Sequence, residues 1–106
     1  MASPYKRILL KISGESLAEQ GQFGISPGEL AVIASEIAAA KQSANFDLAV
    51  VVGGGNIIRG AKLAAAGKFD QSTADYMGML GTVINGLALK EALAAVGVES
   101  RVMSAI

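Results

Sequence analysis

Asp47-Leu48-Ala49-Val50-Val51-Val52-Gly53-Gly54-Gly55-Asn56-Ile57-Ile58-Arg59-Gly60 is the stretch on which the fold turns. Its first half, Leu48 to Val52, is an unbroken apolar, β-branched run, as suits a strand of a parallel sheet. Its second half opens on three consecutive glycines. Such a run lets the backbone turn sharply and lets a ligand approach the N–H groups closely. Open parallel sheets bind ligands at the carboxyl ends of their strands. N–H groups at such a turn, with the start of a following helix, form an anion site, and Arg59 adds a guanidinium suited to phosphate oxygens. Two familiar loops do not fit. A dinucleotide fingerprint needs glycine where Ile58 stands, and a Walker A loop needs lysine where Ala61 follows Gly60. On the glycines alone, a plain strand-to-helix turn with a surface arginine stays open.

Working outward toward the amino terminus, Arg7–Ser13 reads as another strand, covered on both faces because Ile8, Leu9, Leu10 and Ile12 are nearly continuous. Ser13-Gly14-Glu15 breaks it, and Ala18–Gly24 reads as a loop. Ser26, Pro27 and Glu29 then spell a helix start: an N-cap, a proline where proline is tolerated, and the acid of a capping box. Leu30, Ile33, Ala34 and Ile37 follow at helical spacing, and the helix should fade near Gln42–Asn45.

Toward the carboxyl terminus, a short helix is expected over Ile57–Ala66, ending near Gly67. Ser72 or Thr73 should cap a long helix, with Asp75 in its first turn. Met77, Leu80, Ile84, Leu87 and Ala88 form its expected apolar face, and Met79 and Val83 a second. Gly78, Gly81 and Gly86 cost about 1 kcal/mol each against alanine where exposed, so close packing against a neighbouring backbone is expected to compensate. Gly97 stops the helix, and Val98–Met103 reads as a third strand. Strands separated by helices imply an α/β fold with a mainly parallel sheet and helices on both faces. The chain stops just past a strand with no closing element, so it reads as cut rather than finished.

Composition narrows the chemistry. The 106 residues are 52% hydrophobic and 17% charged, with zero formal net charge. Nothing points to nucleic acid, and no stretch reaches membrane-spanning length. The expected compartment is cytoplasmic, or an organelle where a transit peptide has been removed. With no cysteine and no histidine, chemistry must come from Lys, Arg, Asp, Glu, hydroxyls or backbone amides. Lys11, late in the first strand and followed by Ser13-Gly14, reads either as an ordinary strand-end lysine or as a phosphate ligand. Two glycine turns with one cation each suggest a polyphosphate clamp, which is what phosphoryl transfer needs. Asp75 reads either as an acid complementing the helix dipole or as an acceptor for ribose hydroxyls. Met77, Met79 and Met103 read as core filler, and Lys41 as part of a solvated helix face.

Together these residues resemble a family. Tyr5-Lys6-Arg7-Ile8-Leu9-Leu10-Lys11-Ile12-Ser13-Gly14-Glu15 looks like the opening of bacterial-type uridylate kinases, members of the amino-acid-kinase family. Phe23-Gly24-Ile25, the glycine stretch from Val52 to Gly60, the segment Asp75–Gly86 and the segment Arg101–Ile106 resemble theirs in order. The resemblance implies an amino-acid-kinase-like αβα sandwich, of which residues 1–106 form the N-terminal, UMP- and phosphate-binding part, the C-terminal nucleotide-binding half being absent. It implies phosphoryl transfer from ATP, with Mg2+, to UMP. Lys11, Ser13, Gly14, Gly55 and Arg59 match positions contacting ATP phosphates, with Lys11 and Arg59 as the catalytic cations. Gly54 and Asp75 match positions holding UMP, and no protein ligand for the metal is singled out. The loop Glu19–Gly24 matches a segment tied to activation by GTP. The resemblance also implies inhibition by UTP and a homo-oligomer, a hexamer at full length. The chain alone is expected to be inactive. Two other readings stand beside this one: a non-catalytic α/β module that self-associates through an exposed sheet edge, and a relative acting on an acyl substrate.

Overall fold

The computed structural model describes residues 4–58, 60–67 and 69–105. Two strands, β1 (Arg7–Ile12) and β2 (Asp47–Val52), pair in parallel from Arg7 opposite Asp47 to Ile12 opposite Val52. The Gly53 N–H extends the ladder by one bond to the Ile12 carbonyl, at 3.1 Å. The helix α1 (Pro27–Ser43) crosses between the strands; α2 (Gly60–Ala65) and α3 (Gln71–Ala95) follow β2. The α/β class and the parallel pairing are those expected.

The pleat places Ile8, Leu10 and Ile12 on one face with Leu48, Val50 and Val52. Both long helices pack there. Ala34 and Ile37 of α1 meet Leu89 and Leu93 of α3, and Ile12, Leu48 and Val50 close the cluster from below. On the opposite face Leu9 stays 69% and Val51 49% exposed. The cover expected on both faces of β1 is therefore supplied on one face by the described residues, because both helices share it.

Helix α1 starts as its sequence demands. The Ser26 hydroxyl accepts from the Glu29 N–H at 3.3 Å, with Pro27 next to the cap. The reciprocal half of the capping box is replaced, since the Ser26 N–H donates to the Leu17 carbonyl at 2.6 Å. At the far end Lys41, expected to be solvated, donates to the Phe46 carbonyl at 2.6 Å and lies 5.3 Å from that ring's centroid. A cation there bonds a carbonyl and an aromatic face at once.

Helix α3 departs further from expectation. It begins at Gln71 after Asp70, not after Ser72 or Thr73, and Ser72 instead donates to the Asp70 carboxylate at 2.9 Å. Asp75 consequently falls in the second turn. The buried face runs through Ala74, Gly81, Asn85, Leu89 and Leu93, whereas Leu80, Ile84 and Leu87 of the expected face are exposed. Backbone contact decided this: the face carrying small residues is the one that reaches the glycine turn. Met79 and Met103, expected as core filler, are also exposed. The short helix α2 starts at Gly60, three residues later than expected, because Ile57 and Ile58 both donate to the Gly54 carbonyl in a turn.

The third strand expected over Val98–Met103 does not form; residues 98–105 have no regular structure. Helix α3 ends in a glycine cap, with Gly97 at φ +83°, its N–H on the Ala94 carbonyl and the Val98 N–H on the Leu93 carbonyl. Val98 then packs on the core cluster, and Val102 packs against Gly86. The segment thus follows α3 instead of pairing with β2.

Candidate functional site

The two glycine turns stand against each other at the carboxyl ends of the strands. After β1, the Ser13 hydroxyl accepts from the Glu15 N–H at 3.1 Å and starts a 310 turn over Gly14–Leu17. Gly14 is buried against the second turn. A Cβ there would sit 2.7 Å from Asn56 Oδ1, 2.8 Å from Gly55 N and 2.9 Å from Gly53 O. Gly54 is held as closely from the other side: its Cβ would sit 2.9 Å from Thr82 N, 3.0 Å from Gly78 O and 3.1 Å from Gly81 C. The end of β1, the turn after β2 and the backbone of α3 are thus in contact through glycines. This is the compensation expected for Gly81. Gly86 instead faces the Val102 side chain.

Among the described residues, the N–H groups of Gly14, Gly54 and Gly55 have no acceptor. Neighbouring amides of this kind form a concavity that accepts an anion. Beside them opens a cleft of about 800 Å³, lined by Ser13, Glu15, Glu19, Phe23, Gly55 and Asn56.

A buried amide pair underlies the turn. Asn56 and Asn85 are 1% and 0% exposed. Asn56 Nδ2 donates to Asn85 Oδ1 at 3.1 Å and to the Gly24 carbonyl at 2.9 Å. Asn85 Nδ2 donates to Asn56 Oδ1 at 2.6 Å and to the Gly53 carbonyl at 2.7 Å. The Gly24 N–H returns a bond to the Asn56 carbonyl at 2.7 Å. Both side chains use both donors, which is what permits their burial. Sequence reasoning missed this pair. The available signal was Asn85 itself, a polar residue in the middle of a helix that is uncharged from Tyr76 to Leu89.

Of the residues singled out from the sequence, the structure brings Ser13, Gly14, Gly54 and Gly55 together. Lys11 lies opposite Val51 on the outward face of the sheet and is exposed. Asp75 is exposed, accepts from Gln71 Nε2 at 2.7 Å, and stands one turn before the Gly78 whose carbonyl abuts Gly54. Arg59 lies outside the described residues. Among the described residues no group of three or more acidic side chains could hold a metal ion.

A parallel α/β unit with adjoining glycine turns at the carboxyl ends of neighbouring strands defines a class, the proteins that receive a ligand at that end of the sheet. Within it, this chain belongs to the amino acid kinase family, whose sequence profile matches residues 6–106. It is 54% identical over 103 residues to the uridylate kinase of Rubrobacter xylanophilus, a match covering 97% of this chain and 40% of that one. It is 53% identical over 102 residues to the uridylate kinase of Zymomonas mobilis, covering 96% and 41%. Among solved structures it resembles the UMP kinase from Bacillus anthracis, with a TM-score of 0.76 and 40% identity over 88% of this chain and 37% of that one. It also resembles the UMP kinase from Ureaplasma parvum, with a TM-score of 0.78 and 36% identity over 91% and 41%. The chain therefore spans about two-fifths of the length of the curated relatives it matches.

Proposed function

We propose that the chain is the N-terminal, UMP- and phosphate-binding part of a uridylate kinase, which transfers a phosphoryl group from ATP to UMP and gives UDP for pyrimidine nucleotide biosynthesis. The observation that carries this is the contact between Gly14 and Gly53–Gly55, with amides free to receive phosphate oxygens. Transfer of this kind depends on positioning and on neutralising charge spread over phosphate oxygens. In this reading the Gly14 and Gly55 amides seat the ATP phosphates with Ser13. Lys11 and Arg59 supply the catalytic positive charge. Gly54 and Asp75 hold UMP, the carboxylate accepting from the ribose hydroxyls, and the Gly78 contact supports their proximity. The described residues do not form a magnesium cage; Mg2+ brought with ATP would take its oxygens from the phosphates.

Several parts of the proposal rest on kinship with uridylate kinases: UTP inhibition, a cytoplasmic location, a hexamer, and inactivity without the length the relatives add. No helix among the described residues is long and apolar enough to cross a membrane. GTP activation through Glu19–Gly24 rests on the same kinship; in the structure that loop ends at Gly24, whose carbonyl accepts from Asn56 Nδ2. Self-association has support in the exposed apolar side of α3.

Calorimetric titration of the chain with UMP and with an ATP analogue tests the reading, beside Lys11→Ala, Arg59→Ala and Asp75→Ala. The expected result is weaker ATP-analogue binding in the first two and weaker UMP binding in the third. A folded chain that binds neither nucleotide, alone or joined to the remaining length of a relative, would overturn it.

A further inference from the structure

A run of three glycines has no side chains to fix its shape, so its geometry must come from its neighbours. We propose that the Asn56–Asn85 amide pair is the positioning element of the glycine turn and makes the shape of that turn depend on the register of Gly24, in the loop between the 310 turn and α1. Each amide bonds one of the two segments: Asn85 holds the Gly53 carbonyl, and Asn56 holds the Gly24 carbonyl. The two amides bond each other in both directions. Gly24 is clamped twice, since its N–H also reaches the Asn56 carbonyl, and it sits at φ +87°, a conformation that L side chains rarely adopt. Neither segment can shift without breaking a bond to an amide whose side chain is buried. The loop that lines one side of the 800 Å³ cleft is thereby tied to the amides on the other side. A ligand that moved the loop would reshape the turn, and a phosphate on the turn would order the loop. That consequence rests on the phosphate reading above; the coupling itself does not.

The test uses this chain with Asn85→Asp, Gly24→Ala and the double variant, followed by amide hydrogen exchange and by titration with pyrophosphate. Asn85→Asp keeps the shape but replaces the donor, leaving the Gly53 carbonyl unpaired. Gly24→Ala has open space for its methyl group, so its effect is confined to the backbone. Asn85→Asp should speed exchange at the Gly24 N–H, a group it does not touch. Gly24→Ala should do the same at the Ile57 and Ile58 N–H groups. Each single variant should weaken pyrophosphate binding about tenfold, the factor that one hydrogen bond of ordinary worth carries. The double variant should be no weaker than the worse single one, because both break the same link. Exchange changes confined to residues next to each substitution, or penalties that multiply, would overturn the proposal. Should Asn85→Asp fail to fold, exchange at Ile57 and Ile58 in Gly24→Ala decides alone. A wild-type chain that ignores pyrophosphate would sink the phosphate reading, while the exchange data still decide the coupling.

Discussion

At the scale of single residues, glycines in this chain do opposite things, and the difference can be measured. Gly54 lies against three backbone atoms of α3, none of which can swing aside as a side-chain end can. Gly54→Ala should therefore destabilise the fold by about 1–3 kcal/mol, the usual cost of forcing a methyl group into a packed site. Gly78 supplies one of those atoms through its carbonyl, yet it has nothing within 4 Å of its own would-be Cβ. Gly78→Ala should stabilise by up to about 1 kcal/mol through helix propensity. Urea denaturation of the two variants checks both signs, with the midpoints moving in opposite directions at an unchanged slope. The glycines of the site were legible in the sequence because a run of them after an apolar strand has few uses. The Asn56–Asn85 pair was not, because a partnership between residues 29 apart in the chain leaves no local pattern.

At the scale of elements, punctuation was easier to read than faces. The start of α1 was legible because Ser26, Pro27 and Glu29 act on the backbone next to them. Ser26→Ala should cost about 1 kcal/mol, as removal of an N-cap hydroxyl usually does. The loss should stop there, because the Ser26 N–H keeps its bond to Leu17 whatever the side chain is. Thermal unfolding of the variant checks it, and a much larger loss would mean that the hydroxyl holds more than the Glu29 N–H. Hydrophobicity alone points to the wrong face of α3. Leu80, Ile84 and Leu87 are large and apolar, but the inward side had to be the one that lets Gly54 touch the helix backbone, and there Gly81 and Asn85 serve, with Leu89 and Leu93 following on the same side. The third strand was misread for a related reason. Val98 and Val102 are apolar at strand-like spacing, yet their contacts run to the core cluster and to Gly86 of α3.

At the scale of the whole molecule, the misread face carries a consequence. Helix α3 has no charge between Asp75 and Lys90, and its outward side presents Tyr76, Leu80, Ile84 and Leu87 to solvent. The spacing of the middle two is self-complementary. In an antiparallel pair of α3 helices centred on Thr82, Leu80 of one copy stands level with Ile84 of the other, Tyr76 with Ala88 and Leu87 with Met77. Burying such side chains is worth about 1.5–3 kcal/mol each when complete, and the symmetric contact counts every one twice. A second copy is therefore the expected occupant of this face, consistent with the proposed homo-oligomer. Leu80→Lys combined with Ile84→Lys should shift sedimentation from an assembled to a monomeric species while circular dichroism stays unchanged, because neither side chain is part of the buried core. Leu9→Lys, on the uncovered face of the sheet, serves as the control and should leave the α3 assembly intact. A wild-type chain that sediments as a monomer at high concentration would remove the second copy as occupant. Assembly that persists in the α3 double variant but is lost in Leu9→Lys would move the contact to the sheet.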